Sequence, residues 1–201
     1  MRRPETESWL AGGAIRARFL PHAMQDADTY HKLGINHFRA GHLDDAAQAF
    51  DKALAAVEAE DDRHKEAEIL NDLGVTRREL GEWDQAEAAL AKADVLFTSL
   101  GDVKGQAQVA GNLGSVLEGC QRYEEAAEAY RRSARMFEDM GESDLAMYAW
   151  QALSRLHMKH KQWLPAIAAY EEGIENMPDG SPKKGLLRRI VRMPGGWLSG
   201  R

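Results

Sequence analysis

The sequence predicts an all-α protein, an α-solenoid of four helix-turn-helix units. Three observations predict it. A set of small and large residues recurs at a strict 40-residue interval. Within each interval the apolar residues follow helical spacing. Ala, Glu, Leu, Arg and Asp dominate the composition, and these favour helix over strand.

The recurrence fixes the units. Leu33-Gly34, Leu73-Gly74, Leu113-Gly114 and Leu153-Ser154 form one column. Ala46, Ala86, Ala126 and Ala166 form another, as do Leu43, Trp83, Tyr123 and Trp163. Phe50, Leu90, Tyr130 and Tyr170 follow, then Ala53, Ala93, Ser133 and Gly173. Chance does not align five columns four times. The stretch Gly111 to Ala134 shows why the pattern makes a hairpin. Leu113, Gly114 and Leu117 share one helix face, and Tyr123, Ala126 and Tyr130 share another. Small Gly114 and Ala126 let the two helices approach closely. The aromatic columns are read as core.

Taken in order, helices are expected at about 26–39, 43–58, 63–79, 83–98, 103–118, 123–139, 143–160 and 163–177, to within a few residues. Gly101 and Gly141 suit the left-handed position that ends a helix. Asp61 or Asp62, Asp102 and Ser143 suit the capping of the next one. The units span 27–66, 67–106, 107–146 and 147–177, within a repeat region of 26–177. Residues 1–25 form an N-terminal extension, partly ordered or a short helix. Repeat 4 departs from the pattern at Ser154, Lys161 and Gly173, as a terminal unit does when one face meets no neighbour. Beyond Pro178–Pro182, residues 183–193 place Leu186, Leu187, Ile190 and Val191 opposite Arg188, Arg189 and Arg192. The segment 178–201 is therefore expected to supply a basic capping helix and tail. Its competing roles are a membrane contact and a self-inhibitory contact with an acidic groove.

Charge and motifs exclude several functions. The net charge of −6 divides into +2 for residues 1–25, −13 for 26–177 and +5 for 178–201. So acidic a body does not suit nucleic acid, and no nucleic-acid partner is expected. The single Cys120 allows no internal disulfide, and a reducing compartment, the cytoplasm, is expected. Arg2 and Arg3 open like a secretion signal, but Glu5, Glu7 and the short run WLAGGAI make a cleaved leader unexpected. No HExxH, phosphate-binding Gly loop or GxSxG is present, so no enzyme is expected. The seven histidines read as scattered. His157 and His160 lie at i, i+3 but lack a third ligand, so neither metal nor cofactor is expected. Cys120 beside Arg122 reads as a turn residue rather than an activated thiol. The paired acids Asp44-Asp45, Asp61-Asp62 and Glu124-Glu125 fall at helix starts, where they complement the dipole.

The stretches LGINHFRAGHLDDAAQAFDKA (33–53) and LGVTRRELGEWDQAEAALAKA (73–93) resemble the tetratricopeptide repeat (TPR) family across about 27–177. The 40-residue unit, with LGD…GQAQVAGNLG (100–114) at a junction, is similar to the repeats of kinesin light chains, Pins/LGN polarity scaffolds and bacterial regulatory TPR domains. The resemblance implies a right-handed superhelix whose concave face, lined by the first helix of each unit, binds a partner. Its register implies groove positions at His31, Lys32, Ile35, Phe38 and Arg39 in repeat 1, and at Asn71, Asp72, Val75, Arg78 and Glu79 in repeat 2. It implies Asn112, Ser115 and Glu118 in repeat 3, and Gln151, Arg155, Met158 and Lys159 in repeat 4. Asn112 stands where such proteins place an amide that both donates to and accepts from a bound peptide. The acids Asp72, Glu79 and Glu118 argue against a clamp for a carboxylate-ended peptide. The expected function is a non-catalytic adaptor or scaffold binding a peptide or helix of a protein partner, one with a basic middle. The alternative is a peripheral membrane-complex assembly factor attached through its basic, Trp-containing termini.

Overall fold

A computed structural model describes residues 20–57, 62–177, 180, 184 and 185, with side chains from Ala27 onward. Among these residues there are eight helices and no strand. They are α1 (Leu20–Arg39), α2 (Leu43–Val57), α3 (Arg63–Glu79), α4 (Trp83–Leu100), α5 (Val103–Gly119), α6 (Tyr123–Asp139), α7 (Ser143–Lys159) and α8 (Trp163–Glu175). Each helix packs on the one before it and the one after it, and α3 also touches α1 and α5. The odd-numbered helices therefore run side by side, which is the solenoid the repeat predicts.

The columns explain the packing. Ala46, Ala86, Ala126 and Ala166 are all buried where the two helices of a hairpin meet. A Cβ added at Gly114 would lie 2.7 Å from the Tyr130 ring, so only glycine admits that ring. Repeat 4 departs for local reasons. Ser154 stands in place of the glycine, and its buried hydroxyl donates to Ala166 O at 2.7 Å. Gly173 replaces alanine because Met147 and Trp150 crowd it; an added Cβ would lie 2.6 Å from the Met147 sulfur. Ser133 keeps its place in the alanine column by donating to Ala107 O at 2.7 Å.

The termini of the helices follow elementary capping, with exceptions. Asp62 and Asp102 accept from Lys65 N and Gly105 N at 3.0 and 2.9 Å. Gly101 ends α4 with φ of +69°, and Gly141 takes +74° after α6. Ser143 is no cap: it is the first residue of α7, after Glu142, whose side chain makes no capping bond. The expected turn glycine is Gly41 or Gly81 in the first two units, but Gln121 and Lys161 adopt the same left-handed turn, with φ of +62° and +60°. Helix α1 starts at Leu20, inside the stretch read as an extension.

Two of the turn aromatics are not core, whereas Tyr123 is half-buried and packs against it. Trp83 is 37% and Trp163 61% exposed. This column reaches forward to the following unit. Trp83 covers the end of α5 at Gly119, and Tyr123 lies against His160 with ring centroids 3.9 Å apart. Trp163 comes from the last of the four units and has no such ledge among the described residues. It stays open beside Leu164, which is 82% exposed.

After α8 the chain turns back. The buried Lys184 ammonium donates to Glu175 O and Met177 O at 2.8 and 2.7 Å, satisfying carbonyls at the helix end. The rest of the expected capping helix, 186–193, lies outside the described residues. So do the basic tail and residues 1–19, on which the membrane-bound alternative rests. Among the described residues no helix is long and apolar enough to cross a membrane.

Candidate functional site: the inner groove

The inner face carries two hollows. One, of about 330 Å3, lies between repeats 1 and 2 and is lined by Ile35, Phe38, Arg39, Phe50, Asp72, Val75 and Thr76. The other, of about 440 Å3, spans α3, α5 and α7, with Asn71, Asp72, Asn112 and Ser115 on its floor. A further hollow near Trp83 includes Arg78, Glu79 and Ser115. Ten of the residues expected to form the groove thus line these hollows: Ile35, Phe38, Arg39, Asn71, Asp72, Val75, Arg78, Glu79, Asn112 and Ser115. His31, Lys32, Glu118, Gln151, Arg155, Met158 and Lys159 line none of the three.

The groove's polar groups pair across repeats at one recurring separation. His31 Nε2 meets Asp72 Oδ2 at 2.8 Å, Asn112 Nδ2 donates to Asn71 Oδ1 at 2.9 Å, and Lys159 Nζ donates to Glu118 Oε1 at 3.0 Å. Each pair is 41 residues apart, one repeat and one residue. Arg78 pairs with Glu79 on its own helix. Glu79 and Glu118 are thus already paired with Arg78 and Lys159, and Asp72 with the His31 imidazole. Asn71, two residues before Leu73 where Asn112 is one before Leu113, is the residue that engages Asn112. That bond uses one Asn112 N–H, and its second N–H and its carbonyl oxygen take no part in it.

Behind this row Ser115 Oγ lies 3.0 Å from Tyr130 Oη, which donates to Glu118 Oε2 at 3.4 Å. Burial raises the Tyr130 phenol above its ordinary value, partly opposed by the Ser115 hydroxyl. The Glu118 carboxylate raises the Lys159 ammonium in turn.

Several lining residues escape the sequence reading. Gln108, Leu145 and Tyr148 come from the N-terminal halves of α5 and α7. Tyr148 is 69% exposed on the rim. Helical spacing back from Gln151 and Arg155 reaches Tyr148, so the signal was present one turn beyond the positions the family register marks.

The reactive-group candidates resolve. Burial, followed by the Glu87 charge, raises the Cys120 thiol, while Arg122 is drawn away to Glu87 and Glu125. Cys120 is a packing residue. His157 Nδ1 bonds Gln162 Oε1 at 2.6 Å and His160 stacks on Tyr123, so that pair does not converge on one ion. The histidines are nevertheless not all scattered. His37 and His42 come together with Asp45 at the turn of the first unit.

Eight helices in TPR-like hairpins around a paired polar groove define a helical repeat scaffold. The sequence pattern of the soluble NSF attachment protein (SNAP) family matches residues 22–185, and the chain belongs to that family. Membership makes it a non-catalytic interaction scaffold. Among solved structures it is similar to MamA, at 23% identity and a TM-score of 0.59 over 82% of this chain and 86% of that one. It is similar to BtubC (BKLC) from P. vanneervenii, at 21% identity and a TM-score of 0.67 over 75% and 62%. The Rap conjugation gene regulator of plasmid pLS20, solved with the Phr* peptide, matches at 15% identity and a TM-score of 0.68 over 93% and 53%. The chain thus spans little more than half of the Rap regulator's length and under two thirds of BtubC's. No curated protein matches the sequence.

Proposed function

We propose that this chain is an adaptor that holds an extended segment or a helix of a partner protein in the inner groove. The observation that carries this is the hollow over α3, α5 and α7. It combines the Asn71–Asn112 amide pair on its floor with the exposed ring of Tyr148 on its rim. Free amide valences suit a peptide backbone, and an accessible aromatic supplies contact area at low entropy cost. The solved Rap regulator complex, a similar fold holding a peptide, supports the same use of the solenoid. The family name describes attachment to NSF. For this chain we extend it only to a protein partner.

A basic segment is the best-suited ligand. Its cations would exchange with Lys159 at Glu118 and with His31 at Asp72, so specificity would come from replaced rather than vacant pairs. Within this proposal the chain divides as its period suggests, into an extension, four units of the longer 40-residue form and a basic C-terminal segment. The test is affinity capture with wild type, Tyr148→Ala and Asn112→Ala/Arg155→Ala. Loss of one shared partner from both variants supports the groove. Retention of that partner by both moves binding elsewhere.

A further inference from the structure

We propose that His37, His42 and Asp45 form a binding site for a divalent transition-metal ion of the zinc class, at the outer turn of the first hairpin. One ligand atom from each side chain is available, and these atoms all lie within 4.8 Å of one another. A tetrahedral ion at ordinary metal–ligand lengths needs its ligand atoms roughly 3.4 Å apart. His42 and Asp45 are exposed, so their side chains have room to rotate toward the ion.

The backbone is already fixed for the purpose. His42 N donates to His37 O at 2.9 Å, Gly41 N to Phe38 O at 3.0 Å, and Ala46 N to His42 O at 3.0 Å. Gly41, with φ of +79°, makes the bend. The last turn of α1 and the first turn of α2 are thereby locked face to face.

The other units show what this position does. The same backbone bond joins Glu82 to Arg77, Arg122 to Leu117 and Gln162 to His157, each at 2.9 Å. There the side chains form intramolecular pairs: Arg77 with Glu82 at 3.4 Å, Arg122 with Glu125 at 2.7 Å, and His157 with Gln162 at 2.6 Å. The fold thus brings these three positions together repeatedly. Only in the first unit are all three occupied by metal-ligating residue types. Among the described residues, none of the three side chains has a hydrogen-bond or ion-pair partner, so an ion displaces nothing.

Two imidazoles and one carboxylate select zinc, cobalt, nickel or copper over the oxygen-seeking magnesium and calcium. Three protein ligands leave a position for water. The ion would clip α1 to α2 in a terminal unit, which has a described repeat on one side only.

The test uses the full chain stripped with chelator. Cobalt(II) is titrated in and followed by its visible absorption, and thermal melts are recorded with and without zinc. The expected result is one ion per chain and a higher melting temperature with zinc than without. His42→Gln and Asp45→Asn should each weaken cobalt binding at least tenfold, and His157→Gln should leave it unchanged. Both informative substitutions are at exposed positions, and circular dichroism confirms the fold. No binding at millimolar cobalt overturns the proposal. So does binding that is unchanged in the His42→Gln/Asp45→Asn double variant.

Discussion

Asn112 donates its amide to Asn71 across the gap between two repeats, at 2.9 Å, on the floor of the inner groove. The bond makes Asn112 both a structural rung and the nearest polar group to a ligand. Asn112→Ala should therefore cost about 1 kcal/mol of stability as well as partner binding. Tyr148→Ala removes an exposed ring and should change stability by less than about 0.5 kcal/mol while losing the same partner. Urea denaturation alongside affinity capture separates the two effects.

Gly114 and Tyr130 make a sharper test of the packing. Gly114→Ala drives a methyl group into the Tyr130 ring, and overpacking of this kind costs about 1–3 kcal/mol. Gly114→Ser should behave similarly, although serine is the residue of repeat 4, because its Cβ would meet the same Tyr130 ring. Equilibrium unfolding of the two variants checks this, and wild-type stability in either would refute the packing account.

Left-handed turns occupied by side-chain-bearing residues predict a gain. Gln121→Gly and Lys161→Gly each relieve a backbone strain, for a net gain of about 0.5–1 kcal/mol after the greater flexibility of unfolded glycine is counted. The double variant should melt a few degrees higher. Gly41→Gln, the reverse exchange, should melt lower.

The buried Tyr130 phenol gives a pH dependence with a definite sign. Its proton is held more tightly in the folded chain than in the unfolded one, chiefly because burial opposes the phenolate. The associated stability is complete below the unfolded value of about 10 and is lost as pH rises through the higher folded value. The urea midpoint should fall as pH rises above about 10, and that of Tyr130→Phe should fall less steeply. Equal slopes would remove Tyr130 as the cause.

Most of the architecture was legible because the period was strict. A column that is alanine three or four times over is a helix contact, and the predicted helix ends differ from the observed ones by few residues except at Leu20. Direction was not legible. Trp83 and Tyr123 were read as core, but their rings reach forward onto the next unit. A ring at a helix start and a ring in a hairpin core have the same spacing in sequence. The groove residues were found as individual positions and not as pairs. Asp72 and Glu118 were read as acids that disfavour a carboxylate clamp, whereas the fold makes residues 41 apart neighbours. Searching for complementary side chains at that separation would have found His31–Asp72, Asn71–Asn112 and Glu118–Lys159. The His37, His42 and Asp45 cluster escaped because ligands were sought along one helix, and these three bridge a turn.

Each helix rests on its sequence neighbours, and α3 also rests on α1 and α5. No described contact ties the first hairpin to the last. The molecule is mechanically a chain of three couplings, and opening at one end need not be felt at the other. Damage to Ala126 loosens two junctions, whereas damage to Ala46 loosens one. Amide exchange should therefore be slowest in the middle of the stack, where Asn71 and Asn112 meet, so that the most persistent part of the protein underlies its proposed binding surface.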